Sequence, residues 1–121
     1  MKLKNAAIFL YFAGLAAVLY LSLVPEPPQI VPGFKMVDKL EHLAAYTVLT
    51  FLLAFILSVK MPAARFSLPL SIVMMIAVGA LIEWLQSFTG RSPELADLAA
   101  DAAGAVIGAV AGRRVSLLLQ R

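Results

Sequence analysis

Four apolar runs divide this chain, approximately Ala6–Val24, Leu43–Val59, Phe66–Leu85 and Ala99–Leu119. Polar residues gather between the runs and thin out inside them. A helix rises about 1.5 Å per residue, so about 20 apolar residues cross a hydrocarbon layer about 30 Å thick. The four runs meet or approach that length. Backbone amides in lipid find no water, so helix is the conformation that satisfies them. The pattern predicts an all-α polytopic membrane protein, a four-transmembrane-helix bundle formed by one domain over residues 1–121.

The connections carry turn and start signals. Pro25, Pro27, Pro28, Pro32 and Gly33 predict an extended segment after the first span. Asp38 is expected to cap the helix that follows. Met61-Pro62-Ala63-Ala64 predicts a tight hairpin, and Pro69 suits the first turn of the third span. Ser92 is expected to cap a helix opening at Pro93, with Glu94 in its first turn. The first apolar run exceeds the roughly 7–15 residues of a signal peptide, so it is read as an uncleaved span.

Composition supports the membrane reading. The chain is 62% hydrophobic and 14% charged over 121 residues, more apolar surface than a soluble domain of this size can bury. There is no cysteine, which excludes disulfides and thiolate chemistry. The basic residues divide seven to three. Lys2, Lys4, Lys60, Arg65, Arg113, Arg114 and Arg121 lie at one set of helix ends, and Lys35, Lys39 and Arg91 at the other. The positive-inside rule then predicts both termini and the Lys60–Arg65 loop in the cytoplasm. The net charge of +3 is a topology signal and gives no reason to expect nucleic acid.

All seven acids, Glu26, Asp38, Glu41, Glu83, Glu94, Asp97 and Asp101, fall at the outward end, with the only histidine, His42. Depth can be counted from the cytoplasmic anchors. His42 lies 18 residues from Lys60, and Glu83 lies 18 from Arg65, each about 27 Å. Asp97 is 16 residues from Arg113, and Asp101 only 12, or about 24 and 18 Å. Asp101 is therefore expected to sit deeper, unless the fourth span is displaced outward. Asp38, His42 and Tyr46 share one helix face, Glu83 and Gln86 another, and Asp97 and Asp101 a third. Ala96, Ala100, Gly104, Gly108 and Gly112 form a stripe of small residues suited to close helix packing within the monomer. Phe9, Tyr11, Phe12, Tyr20, Phe51, Phe55, Phe66 and Trp84 are read as lipid-facing or interfacial anchors.

At these residues the sequence resembles the VanZ-like family of small bacterial integral membrane proteins. The resemblance begins at Leu23-Val24-Pro25-x-Pro27-Pro28 and continues through Asp38-Lys39-x-x-His42-x-x-x-Tyr46-x-x-Leu49. It resumes at Glu83-x-x-Gln86-x-Phe88-x-x-x-Arg91 and ends with Asp97-x-x-x-Asp101-x-x-Gly104-x-x-x-Gly108. Each block is weak alone, but their order and spacing across most of the chain are specific. Position 101 is commonly Asn in that family and is Asp here. The resemblance implies an envelope role, since the founding member is associated with resistance to teicoplanin, a glycopeptide acting on peptidoglycan precursors at the outer face. It implies no particular reaction.

Three readings stay open. In the first, Asp38, Lys39, His42, Tyr46, Glu83, Gln86, Arg91, Asp97 and Asp101 line an outward-facing polar pocket. There Lys39, His42 and Arg91 would hold an anionic lipid-linked or peptidoglycan-precursor headgroup. In the second, His42, Glu83 and Asp101 are candidate catalytic groups of a membrane enzyme acting on a lipid-linked substrate. In the third, the chain is a structural or interaction module of an envelope complex, and Lys39 and Arg91 simply pair with Asp97 or Glu94. No cofactor is expected. His42 with Asp38, Glu41, Glu83, Asp97 and Asp101 supplies enough ligands for a divalent metal in principle, but one imidazole among many oxygens is not a diagnostic set and His-x-x-x-His and Glu-x-x-His spacings are missing, so no metal is expected. Oligomeric state is left open.

Overall fold

A computed structural model of the chain describes residues 2–24, 35–61, 64–90 and 94–121. Four helices account for nearly all of them: α1 (Lys2–Leu23), α2 (Lys35–Lys60), α3 (Ser67–Gln86) and α4 (Leu95–Leu119). A 3-10 turn, Ala64–Phe66, leads into α3. All four are long and apolar enough to cross a membrane, so this is a multi-pass helical membrane protein. The Pro25–Gly33 segment and the Ser92–Pro93 helix start lie outside the described residues.

Two helix starts differ from expectation. Asp38 is not a cap, because α2 already begins at Lys35 and Asp38 lies in its first turn. A carboxylate there favours the positive end of the helix dipole. Glu94 is not in the first turn of α4. It is the N-cap, extended at φ −120° and ψ 134°, and its side chain does no capping because it turns to Lys39 instead.

α2 is the central helix, and α4 lies parallel against it. A Cβ placed on Gly104 would lie 2.6 Å from the Leu43 carbonyl oxygen. One on Gly108 or Gly112 would meet the carbonyl oxygen of Thr47 or Phe51 still more closely. Each glycine thus admits a backbone carbonyl one turn further along α2, in the manner of small-residue packing in membranes. The stripe ends at its glycines: Ala100 is half-buried and Ala96 exposed. The buried face of α4 instead continues outward through Ala105, Asp101 and Asp97.

The remaining core joins α1 and α3 to α2. The Tyr11 hydroxyl reaches the Met75 sulfur at 3.4 Å, and Ser58 and Ser67 hydrogen-bond at 2.7 Å. Tyr11 and Phe55 are therefore core residues, buried to 7% and 6% exposure, and not the lipid anchors their aromatic character suggested. Phe9, Phe12, Tyr20, Phe66 and Trp84 are exposed, as expected of side chains that face lipid.

The glycine register also corrects the depth count. The pairs 104/43, 108/47 and 112/51 place Arg121, not Arg113, level with Lys60. Asp101 lies 20 residues from Arg121, about 30 Å. It is therefore level with His42 and no deeper. The fourth span is displaced toward its N-terminal end relative to α2, and Arg113 and Arg114 lie about two turns from the Lys60 level. Arginine chains of that length can snorkel toward the interface.

Candidate functional site

The N-terminal ends of α2 and α4 and the C-terminal end of α3 meet in one ionic cluster. Asp38, Lys39, His42 and Tyr46 come from successive turns of α2. Glu94, Asp97 and Asp101 come from the start of α4, and Glu83 from the end of α3. Lys39 and His42 divide the carboxylates between them.

The Lys39 ammonium donates to Glu94 Oε2 and Asp97 Oδ1, both at 2.5 Å, and lies 3.6 Å from Asp38 Oδ2. Two of its three hydrogens therefore have acceptors within the protein, and the Asp38 carboxylate adds charge at longer range. His42 Nδ1 is 2.8 Å from Asp101 Oδ1. A carboxylate only accepts, so the imidazole donates from Nδ1. Its other nitrogen, Nε2, faces Asp38 Oδ1 and Asp97 Oδ2, each at 3.9 Å. That is too long for a hydrogen bond.

Burial grades this cluster from wet to dry. The side chains of Asp38 and Glu94 are 42% and 46% exposed, whereas that of Asp101 is 2% exposed. Tyr46 is buried beneath His42, its ring nearly parallel to the imidazole at 7° and 6.5 Å between centroids. Glu83 differs from the rest. It is 9% exposed, and among the described residues no side chain hydrogen-bonds to its carboxylate; the Glu94 backbone amide is its one polar approach. It feels the charges of Asp97, His42 and Asp101. One turn below it, Gly79 brings α3 against Asp101: a Cβ there would lie 3.1 Å from Asp101 Oδ2.

Of the expected site residues, the structure brings together Asp38, Lys39, His42, Tyr46, Glu83, Asp97 and Asp101. Gln86 is turned elsewhere: its amide donates to the Ser22 carbonyl at 2.8 Å and ties α3 to the end of α1. Arg91 lies outside the described residues. Glu94 joins the cluster although it was not among the expected pocket residues. The signal for it was Lys39, whose charge needs acceptors from a second helix. Two shallow grooves open elsewhere, on the apolar flank of α2. One is lined by Gly14, Val18, Ala44, Ala45, Val48 and Leu49, the other by Leu10, Thr47, Val48, Phe51 and Leu52.

Four helices with charged groups of three of them joined at one end define a small polytopic membrane protein with a polar centre at one bilayer face. No curated protein and no solved structure shows a significant match to the chain. The VanZ/LLP1 family matches it over residues 7–117. The chain belongs to that family, and the match takes in all four helices and the whole cluster.

Proposed function

We propose that this is a bacterial inner-membrane protein with cytoplasmic termini whose outward-facing cluster binds or modifies the headgroup of a cell-envelope component, lipid-linked or a peptidoglycan precursor. Changed glycopeptide susceptibility of the teicoplanin type follows from that role. The observation that carries the reading is the dry end of the cluster, where Asp101 and Glu83 are buried at the level of His42. A charged side chain within a span costs on the order of 2.5–3.5 kcal/mol on insertion scales, and such groups are kept mainly where they work. Lys39 is already held by two carboxylates, so a headgroup engages the cluster by displacing one of them or by offering amines and hydroxyls to the free acceptors.

One observation favours a catalytic second reading. His42 is oriented by a buried carboxylate through Nδ1, leaving Nε2 directed at the remaining groups, the arrangement of a positioned general base. Expression in a glycopeptide-susceptible host, at matched membrane levels, separates the readings. Binding predicts that Lys39→Ala loses the susceptibility phenotype while His42→Gln keeps part of it. Catalysis predicts that His42→Gln loses it by about 100-fold or more in turnover. Asp101→Asn, which retains an acceptor oxygen, is tolerated in the binding reading, and Asp101→Leu is not. If all of these variants behave as wild type, the headgroup reading fails.

A further inference from the structure

The distances around His42 Nε2 do not suit hydrogen bonds, but they suit a cation. Asp38, His42 and Asp97 each offer one ligand atom, and these atoms lie within 4.8 Å of one another. Bonds to a borderline divalent ion are about 2.0–2.2 Å for both imidazole nitrogen and carboxylate oxygen. Two ligands on one ion are then held about 3–4 Å apart, close to the 3.9 Å observed from Nε2 to each carboxylate. Only a small inward turn of the half-exposed Asp38 is needed to complete the set.

Two further features prepare the imidazole and the charge. Asp101 accepts from Nδ1 at 2.8 Å, which fixes the ring and points the Nε2 lone pair at the gap. A carboxylate behind a ligating histidine has this same effect at metal centres. Glu83, from a third helix, is nine-tenths buried; among the described residues no side chain hydrogen-bonds to its carboxylate, which has only the Glu94 backbone amide near it and lies within reach of the charges of Asp97, His42 and Asp101. A buried carboxylate without a side-chain partner is expensive, and a divalent cation in the gap supplies the missing countercharge.

We propose that Asp38, His42 and Asp97 bind one borderline divalent cation, Zn2+ or Mn2+, with Asp101 orienting the imidazole and Glu83 balancing charge. Nitrogen together with carboxylate oxygen suits these ions better than it suits Mg2+ or Ca2+. Two of the ligands, Asp38 and His42, lie one turn apart on α2, and the third, Asp97, comes from α4. This site goes beyond headgroup binding and stands or falls separately.

The test uses the full chain, purified in detergent, stripped with chelator and titrated with Zn2+ or Mn2+ against a chromogenic competitor. One ion binds per chain, and it raises the thermal midpoint. Asp38→Asn, at an exposed position, folds normally and loses at least about 10-fold in affinity, as does Asp97→Asn, while His42→Gln abolishes binding. Asp101→Asn loses about 10- to 100-fold, as expected when the group behind a ligating histidine changes. Lys39→Gln has the opposite sign: it removes an ammonium from the shared carboxylates and tightens the ion by about 10-fold, since like charge at this range is strongly repulsive. Glu41→Gln, on the same helix outside the cluster, binds as wild type. Absence of stoichiometric binding, equal binding in Asp38→Asn, weaker binding in Lys39→Gln, or Ca2+ and Mg2+ binding as tightly as Zn2+ overturns the proposal. None of these outcomes alters the susceptibility experiment, so the two readings fail independently.

Discussion

Gly104→Ala is the most direct perturbation of how packing holds the cluster. The added methyl would lie 2.6 Å from the Leu43 carbonyl oxygen, where ordinary contact begins at 3.4 Å. The obstacle is backbone, so α2 and α4 must part by the difference, about 0.8 Å. A gap of about 0.5–1 Å forfeits a quarter to a half of each contact's attraction along the seam, and overpacking of this kind costs about 1–3 kcal/mol. Asp101 lies one turn away on the same helix. If the displacement carries through, the 2.8 Å His42–Asp101 bond opens to about 3.6 Å, which no longer counts as a hydrogen bond. Gly112→Ala meets the Phe51 carbonyl more closely still, but it lies two turns further from the cluster, about 12 Å. It should destabilise the fold and spare the bond. Gly14→Ala is the control. Its methyl meets only the flexible end of Leu49, at 3.0 Å, and the gain in helix propensity of up to about 1 kcal/mol offsets the contact. Unfolding in detergent is followed by the single tryptophan, Trp84, and the bond by the 15N imidazole signals of the single histidine, His42. Gly104→Ala should lower stability and move both imidazole signals, and Gly112→Ala should only lower stability. If Gly104→Ala matches Gly14→Ala in both measurements, the close-packing argument is wrong.

Two other outcomes follow from the same geometry. Glu83→Gln should raise the thermal midpoint in chelator by about a few degrees, because it removes a buried charge with no side-chain hydrogen bond at little cost in shape; a lowered midpoint would mean that Glu83 holds the helices together. Reporter fusions at Arg121 and within the Pro25–Lys35 segment should give cytoplasmic and external signals respectively, and an external signal from Arg121 would falsify the proposed orientation.

The helices were legible because a span must be apolar over its whole length, a constraint that single substitutions barely blur. The gathering of acids at one end was legible for the same reason, since charges are pushed to span ends. Register was not legible. Counting from Arg113 put Asp101 too deep because an arginine pair looks like a membrane boundary. The true level is set by three glycines against the carbonyls of Leu43, Thr47 and Phe51, an inter-helix fact that no single run records. Gln86 illustrates the same limit. Its spacing from Glu83 is right for a shared face, and both are buried, yet its amide reaches forward to Ser22. Tyr11 and Phe55 misled in another way: aromatic character suits lipid and core equally, and only the neighbouring helix decides.

Charge balance narrows what the cluster can bind. Among the described residues, Lys39 and His42 face Asp38, Glu83, Glu94, Asp97 and Asp101. An anion approaching Lys39 must first compete with two carboxylates at 2.5 Å, which are intramolecular and already oriented. A cation approaching His42 Nε2 meets the opposite situation: two carboxylates stand 3.9 Å away, and a third, Glu83, has no side-chain partner. The first encounter exchanges one ion pair for another, while the second supplies a countercharge that the fold lacks. An anionic headgroup can still be held here if the cation comes first, because a metal bound by Asp38, His42 and Asp97 would present open coordination positions to a phosphate or carboxylate. On that ordering, Zn2+ at a concentration that just saturates the wild-type protein strengthens its headgroup binding and does so far less in Asp97→Asn, a difference that direct attraction of the headgroup to Lys39 does not produce.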